Sequence, residues 1–350
     1  MQKKKVAILF GGCSSEYEVS LQSAYAVIRN INKEKYEPVL IGITKEGKWY
    51  RYYGKTSKIS DNTWHKDVNN CFEVIFSPDR GANKLIEFNK DKIVKTVIDC
   101  AFPVLHGKFG EDGTVQGLIE LAGIALVGCN TLSSALCMDK DRAHKIAAFE
   151  GVKTPKSIVI NKCDTKNEII RKMQKLNYPL FVKPVKAGSS FGISKITHKK
   201  HLEQAVINAF LYDDEVIIEE NIDGAEVGCA VLGNDILTVG RVDEIELAGG
   251  FFDYDEKYTL KTSKIHMPAR IDEETEEKIK QTAKIIYRAL GCCGFARVDM
   301  FLTPNKEIIF NEVNTIPGFT SHSRYPNMMR VIGLEFEDII DKLITLSFQK

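Results

Sequence analysis

A chain of 350 residues, 44% hydrophobic and 27% charged, can bury a large core and is expected to divide into two or three folding units. Lys and Arg number 48 against 47 Asp and Glu, with no basic block beyond Lys3 to Lys5, which argues against nucleic acid or an anionic membrane as the main partner. Nine scattered cysteines without CxxC or zinc spacing, a short N-terminal apolar run followed at once by Glu16 and Glu18, and no 18-residue apolar stretch point to a reduced, cytoplasmic chain.

In chain order, KVAILFGG reads as a buried strand and a Gly turn, and SSEYEVSLQSAYAVIRNI as a helix with Ser20, Ala24, Val27 and Ile31 on one stripe. Strands over 37–44 and 95–105 fit a parallel sheet, and TVQGLIELAG supplies a helix ending at Gly123. Residues 47–94 are mixed and polar and give no assignment. TLSSALCMDKDRAHKIAAFEGV reads as one helix with Gly151 past its end. Strands follow over 157–160, 179–185 and 215–222, with a helix over 200–211. From Gly224 onward come strands, a polar loop over 247–264, the helix TEEKIKQTAKIIYRALG and two strands around a TPNK turn. The expected division is 1–130, 131–223 and 224–350, an α/β (α+β) chain that opens on a parallel sheet.

The last two strands run GFARVDMFLTPNKEIIFNEVN. Alternation puts Arg297, Asp299 and Phe301 on one face of the first, and Phe310, Glu312 and Asn314 on one face of the second. If Leu302 pairs with Glu307, Arg297 lies opposite Glu312 with Asp299 diagonal to it. Asp299, Glu312 and Asn314 are then hard oxygen ligands of the kind Mg²⁺ prefers, beside a cation suited to developing negative charge. The plainer reading is a cross-strand salt bridge.

FVKPVKAGSSFGIS places Lys183 at a strand end before a loop of Gly188, Ser189, Ser190 and Gly192, which suits phosphate binding; a flexible hairpin turn is the alternative. It is not a P-loop. IIEENIDGAE can offer backbone groups to an adenine edge and a carboxylate to ribose hydroxyls, or can be an edge strand with solvated glutamates. Phe251 and Phe301 are candidate adenine-flanking rings, with core packing as the alternative.

GGCSSEYEVSL, LHGKFGEDGTVQG, MDK, FVKPVKAGSSFG, IIEENIDGAE, FDYDEKY, ARVD and NEVNTIPGFTSHS, in this order, resemble the D-alanine:D-alanine ligase family of ATP-grasp enzymes. The likeness runs almost end to end and is weakest over 47–94. Within the family, Arg324 in SHSRYP and the retained EKY at 256–258 are similar to the D-alanine:D-serine ligases of glycopeptide resistance. The resemblance implies a three-domain ATP-grasp ligase, ATP clasped between the second and third domains, and two Mg²⁺ ions, or Mn²⁺, on Asp299, Glu312 and Asn314. It also implies a homodimer.

For nucleotide, it implies Lys140, Phe181, Lys183, Ser189, Ser190, Glu219, Glu220, Asn221, Ile222, Glu226, Phe251, Phe252, Lys257, Phe301, Asn311 and Glu312. For D-alanine and D-serine, it implies Glu16, Val19, His106, Lys257, Tyr258, Ser323 and Arg324, with Glu16 tied to Ser189 and Tyr258. Arg297 and the Gly318 backbone N–H would stabilise an oxyanion. Arg324 suggests a polar second subsite; alternatively it turns away to an acidic neighbour. The stretch DYDEKYTLKTSK has no apolar stripe and is expected to order when nucleotide binds.

Overall fold

The computed structural model describes residues 2–89, 92–188, 191–247 and 263–349. Its first strand, β1 (Lys4–Gly11), is apolar without alternation, and Val6 to Phe10 are completely buried, as a central parallel strand requires. Helix α1 (Tyr17–Asn30) covers it with Ser20, Leu21, Ala24 and Val27 inward. The sheet continues through β2 (Tyr36–Ile43), β3 (Trp49–Tyr52), helix α2 (Ser57–Ser60), β4 (Cys71–Phe76), β5 (Lys84–Asn89), β6 (Lys92–Val97) and β7 (Cys100–Pro103). Helix α3 (Thr114–Leu121) and β8 (Ala125–Leu126) complete it.

The eight strands lie in the order β6-β5-β4-β3-β2-β1-β7-β8. Only β2, β1, β7 and β8 pair in parallel. The opening sheet is therefore mixed. Residues 47–94, unassigned above, form much of its antiparallel half, because their half-exposed strands carry no long apolar run to announce them. The strand expected over 95–105 is parts of two strands: Asp99 lies between them, and its carboxylate accepts the Lys5 N–H at 2.7 Å.

The helix expected across residues 131–152 is also two, α4 (Thr131–Met138) and α5 (Lys140–Phe149). Asp139 between them is extended (φ −87°, ψ 98°), and its side chain accepts the Arg142 N–H at 2.9 Å, so it caps the second helix. The break places Lys140 on the first turn of α5. A four-stranded antiparallel sheet follows, ordered β11-β10-β12-β9. Its parts are β9 (Ser157–Asn161), α6 (Lys166–Met173), β10 (Leu180–Pro184), β11 (Ser194–Ile196), α7 (Leu202–Ala209) and β12 (Glu215–Glu220).

The third sheet comprises β13 (Ala225–Leu232), β14 (Thr238–Val239), β15 (Asp243–Leu247), β16 (Ser263–His266), β17 (Phe295–Leu302) and β18 (Ile308–Asn314), ordered β16-β15-β13-β17-β18 with β14 on β13. The helix Glu273–Ala289 lays Ile279, Ala283, Ile286 and Tyr287 on this sheet. The last helix, Phe336–Ser347, returns to the first sheet and shares a core with Val6, Ile8 and α1. Among the described residues no helix is long and apolar enough to cross a membrane.

The register of β17 on β18 differs from the expected one. Arg297 pairs with Asn314 and Asp299 with Glu312; then a bulge intervenes, and Met300 pairs with Phe310 and Leu302 with Ile308. Phe310 therefore does not share a face with Glu312. Met300 and Phe310 are both fully buried, and the extra residue, Asn311, lets the strand keep that apolar pair inside while it turns Glu312 and Asn314 toward the opposite face.

Candidate active site

Two cavities, of about 560 Å³ and 450 Å³, open between the sheets. The first is walled by Glu16, Val19, His106, Arg297, Gly318, Ser323 and Arg324. The second is walled by Phe181, Lys183, Glu219, Glu220, Asn221, Ile222, Glu226, Phe301 and Asn311. Lys140 and Glu312 line both, and Asn314 lines the first. Ser189, Ser190, Phe251, Phe252, Lys257 and Tyr258 lie outside the described residues.

Two lysines line the second cavity, and one of them, Lys140, stands at the junction. Lys140 Nζ donates to the Ala187 carbonyl at 3.0 Å and stands 3.8 Å from Glu312 Oε2. Lys183 Nζ is 2.7 Å from Glu219 Oε2. Burial opposes both charges of this pair, yet Glu219 holds the Lys183 ammonium above its usual range and Lys183 holds the Glu219 carboxylate below its own. Both side chains are kept charged beside the second cavity. The loop after β10 also reaches the first sheet: a Cβ built on Gly188 would stand 3.5 Å from Gly107 Cα and 3.8 Å from Glu16 Oε2.

Asp299 differs from the other candidates in lying just beneath the cavity surface, 1% exposed. Arg297 grips it through Nε (2.8 Å to Oδ1) and Nη2 (2.7 Å to Oδ2), and Asn314 Nδ2 donates to it at 2.9 Å. Among the described residues no group of three or more His, Cys, Asp or Glu is placed to hold a metal. The oxygen set nonetheless suits Mg²⁺, which needs few protein ligands: Asp299 faces Glu312 across the strand pair, and the Asn314 amide keeps its oxygen for another partner.

Arg324 takes the acidic neighbour. Its Nε and Nη2 reach Asp243 Oδ2 and Oδ1 at 2.6 and 2.7 Å, while Nη1 stands 3.5 Å from Asp299 Oδ1 and 3.8 Å from Glu226 Oε1. Room for the guanidinium comes from Gly228, which pairs with Asp243 on one side and Asp299 on the other; a Cβ there would meet Arg324 Nη2 at 2.2 Å. At the site's other edge, a Cβ on Gly318 would crowd Ser323 Oγ at 3.1 Å.

His106 is buried between the Ile316 carbonyl (2.9 Å from Nδ1) and Ser23 Oγ (3.2 Å from Nε2). Burial lowers its basicity. Glu111 beside it belongs to the LHGKFGEDG motif but was assigned no role from sequence. Its carboxylate accepts the N–H groups of Gly107 (2.8 Å) and Ile316 (3.1 Å), joining the first sheet's loop to the turn before Gly318. A Glu four residues after a Gly announces nothing, because the partner that gives it a role, the Ile316 N–H, is 205 residues away. Asp243 is equally silent, because its partners Arg324 and Gly228 lie far from it in the chain.

Burial, and then the nearby Glu16, push the Glu111 carboxyl up to about 8 from 4.5. The folded state therefore holds this proton more tightly than the unfolded chain. The stability it contributes is full below about pH 4 and is lost as pH rises from there through 8. Unfolding midpoints of the ligand-free, metal-free protein are expected to fall between pH 6 and 9, more steeply than those of Glu111→Gln; parallel profiles would remove Glu111 as the cause.

A mixed-sheet unit beside two antiparallel sheets, with Lys140 and Glu312 where two cavities meet and a buried Lys183–Glu219 pair in the second, matches the ATP-grasp ligases. Family models described as the D-ala D-ala ligase N-terminus and C-terminus match residues 5–129 and 146–345. The chain is 46% identical to a D-alanine–D-alanine ligase of Caldicellulosiruptor bescii, over all of this chain and 96% of that protein. It is also 46% identical to the vancomycin/teicoplanin A-type resistance protein VanA of Enterococcus faecium, over the whole of both. Among solved structures, VanG D-Ala:D-Ser ligase from Enterococcus faecalis superposes with a TM-score of 0.93 at 59% identity, covering 99% of this chain and all of that one. The D-alanine–D-alanine ligase from Bacillus anthracis complexed with ATP gives 0.74 at 29% identity, covering 99% of this chain and 98% of that one. The chain belongs to the D-alanine–D-alanine ligase family.

Proposed function

We propose that this chain joins D-alanine to D-serine with ATP, through an acyl phosphate, to make a peptidoglycan precursor dipeptide. The observation that carries the reading is the pair Lys140 and Glu312, which lines both cavities: phosphates laid along the second cavity would end where a carboxylate in the first begins. The neighbouring structures that bind ATP and use D-serine support the same assignment.

In this reading, adenine lies along Glu220, Asn221 and Ile222 beside Phe181 and Phe301, and Glu226 meets the ribose. Lys140 and Lys183 hold phosphate oxygens. Glu16 anchors the ammonium of the first D-alanine. Arg297 and the Gly318 N–H face the oxygen that becomes negative when the second amine attacks, and the absence of a Cβ at Gly318 keeps that approach open. Ser323 receives the carboxylate of the second substrate. Asp299, Glu312 and Asn314 would hold Mg²⁺, or Mn²⁺ in its place, which when bound supplies neutralising charge to the phosphates. Arg297 must then release part of its grip on Asp299. The three units 1–130, 131–223 and 224–350, association as a homodimer and a cytoplasmic site of action belong to the same proposal.

The Asp243 grip on Arg324 favours a second reading, D-alanine as the second substrate, because the side chain expected to read a hydroxyl has two nitrogens already engaged. D-serine is preferred here because Arg324 lines the first cavity and its Nη1 is held only at 3.5 Å from Asp299 Oδ1 and 3.8 Å from Glu226 Oε1, a polar setting in which a ligand hydroxyl finds partners and a methyl does not. With ATP, Mg²⁺, D-alanine and equal D-serine in direct competition, D-alanyl-D-serine is expected in excess. A product dominated by D-alanyl-D-alanine would establish the second reading.

A further inference from the structure

Helix α5 carries His144 one turn beyond Lys140, and the ring is only 4% exposed. Its Nε2 lies 2.7 Å from the carbonyl oxygen of Asn311, the extra residue of the β18 bulge. Its Nδ1 lies 3.5 Å from Glu219 Oε1 on β12. These last two atoms are buried without a hydrogen-bond partner, 3.5 Å apart. The ring edge rests on Phe310, centroids 5.3 Å apart at 74°. With a proton on each nitrogen, one imidazolium spans two acceptors, a carbonyl on the third sheet and a carboxylate on the second.

Both acceptors line the second cavity, and the ring itself does not. Glu219 holds Lys183 with its other oxygen, and Asn311 is the residue whose insertion turns Glu312 toward the cavity junction. We infer that His144 is a positioning residue for the nucleotide: it sets the separation between the Glu219–Lys183 pair on one wall and the Asn311–Glu312 bulge on the other. The inference rests on the reading of this cavity as the ATP site. A small rotation that closes the Nδ1 to Oε1 gap draws the two walls together, so occupation of the cavity and completion of this hydrogen bond favour the same arrangement. D-amino acids bound in the first cavity meet neither acceptor.

The test compares the intact enzyme with His144→Phe, which keeps a ring against Phe310 but loses both nitrogens, and His144→Gln, which keeps a donor within reach of the Asn311 carbonyl. Equilibrium binding of a non-hydrolysable ATP analogue with Mg²⁺ is measured beside KM for ATP and for each amino acid. In His144→Phe the analogue's Kd and KM for ATP are expected to rise about tenfold, with KM for both amino acids within about twofold; His144→Gln should recover part of the loss. Analogue binding within about twofold of the parent in His144→Phe overturns the positioning role. Equal rises in KM for ATP and amino acids with a lowered melting temperature also overturn it, because they mark a merely structural residue. Failure of the parent protein to bind the analogue would overturn the ATP reading itself, and this inference with it.

Discussion

Replacing Glu312 by Gln is expected to lower turnover by about 10²–10³-fold while the affinity for nucleotide changes little. The side chain sits at the junction of the two cavities, paired with Asp299 in register and 3.8 Å from Lys140 Nζ. Its amide analogue keeps the shape and one oxygen. The lost charge matters most while negative charge shifts from the attacking carboxylate to the departing ADP, so the loss falls on the transition state rather than on ground-state binding. Saturating kinetics beside equilibrium nucleotide binding separates the two. Near-normal turnover at ordinary Mg²⁺ concentration would remove Glu312 from the reacting centre.

The second large effect falls on stability. Asp243 is fully buried, and its carboxylate meets the Arg324 fork and the Gly228 N–H at 3.0 Å. Arg324→Leu leaves that charge buried and uncompensated by its guanidinium, which costs about 3–5 kcal/mol. Adding Asp243→Asn should restore most of the loss, since the amide oxygen still accepts from Gly228 and no charge remains. Denaturant midpoints of the parent, single and double variants measure this; a single variant as stable as the parent would contradict the buried pair. The same reasoning makes the double variant the sounder probe of second-substrate choice, because a shift in product ratio then reflects the subsite rather than a disturbed sheet.

Local chemistry made much of the site legible before any coordinates. Lys183, Glu219, Glu312 and Ser323 stand in motifs whose spacing a strand or turn preserves, and all line the cavities. What failed was whatever depended on packing between distant segments. The β18 bulge exists because Met300 and Phe310 must both enter the core, and alternation alone counts residues without weighing that demand. Asp139 broke a helix that periodicity carried through, because its side chain caps the second half. The β3 to β6 extension was silent because a largely exposed strand such as β6 mixes Lys92 and Lys95 with Ile93, Val94 and Val97. Glu111, Asp243 and His144 each act through a partner at least 15 residues away, Ile316, Gly228 and Asn311, and nothing in their immediate sequence names it.

The central claim is that ATP activates the carboxylate of D-alanine as an acyl phosphate, and oxygen transfer tests it most directly. D-alanine labelled with oxygen-18 in its carboxylate is incubated with the enzyme, ATP, Mg²⁺ and D-serine, and the released phosphate is examined by mass spectrometry. The account predicts ADP and one phosphate per dipeptide, each phosphate carrying one oxygen-18 atom from the carboxylate. Unlabelled phosphate, or release of AMP with pyrophosphate, would contradict it.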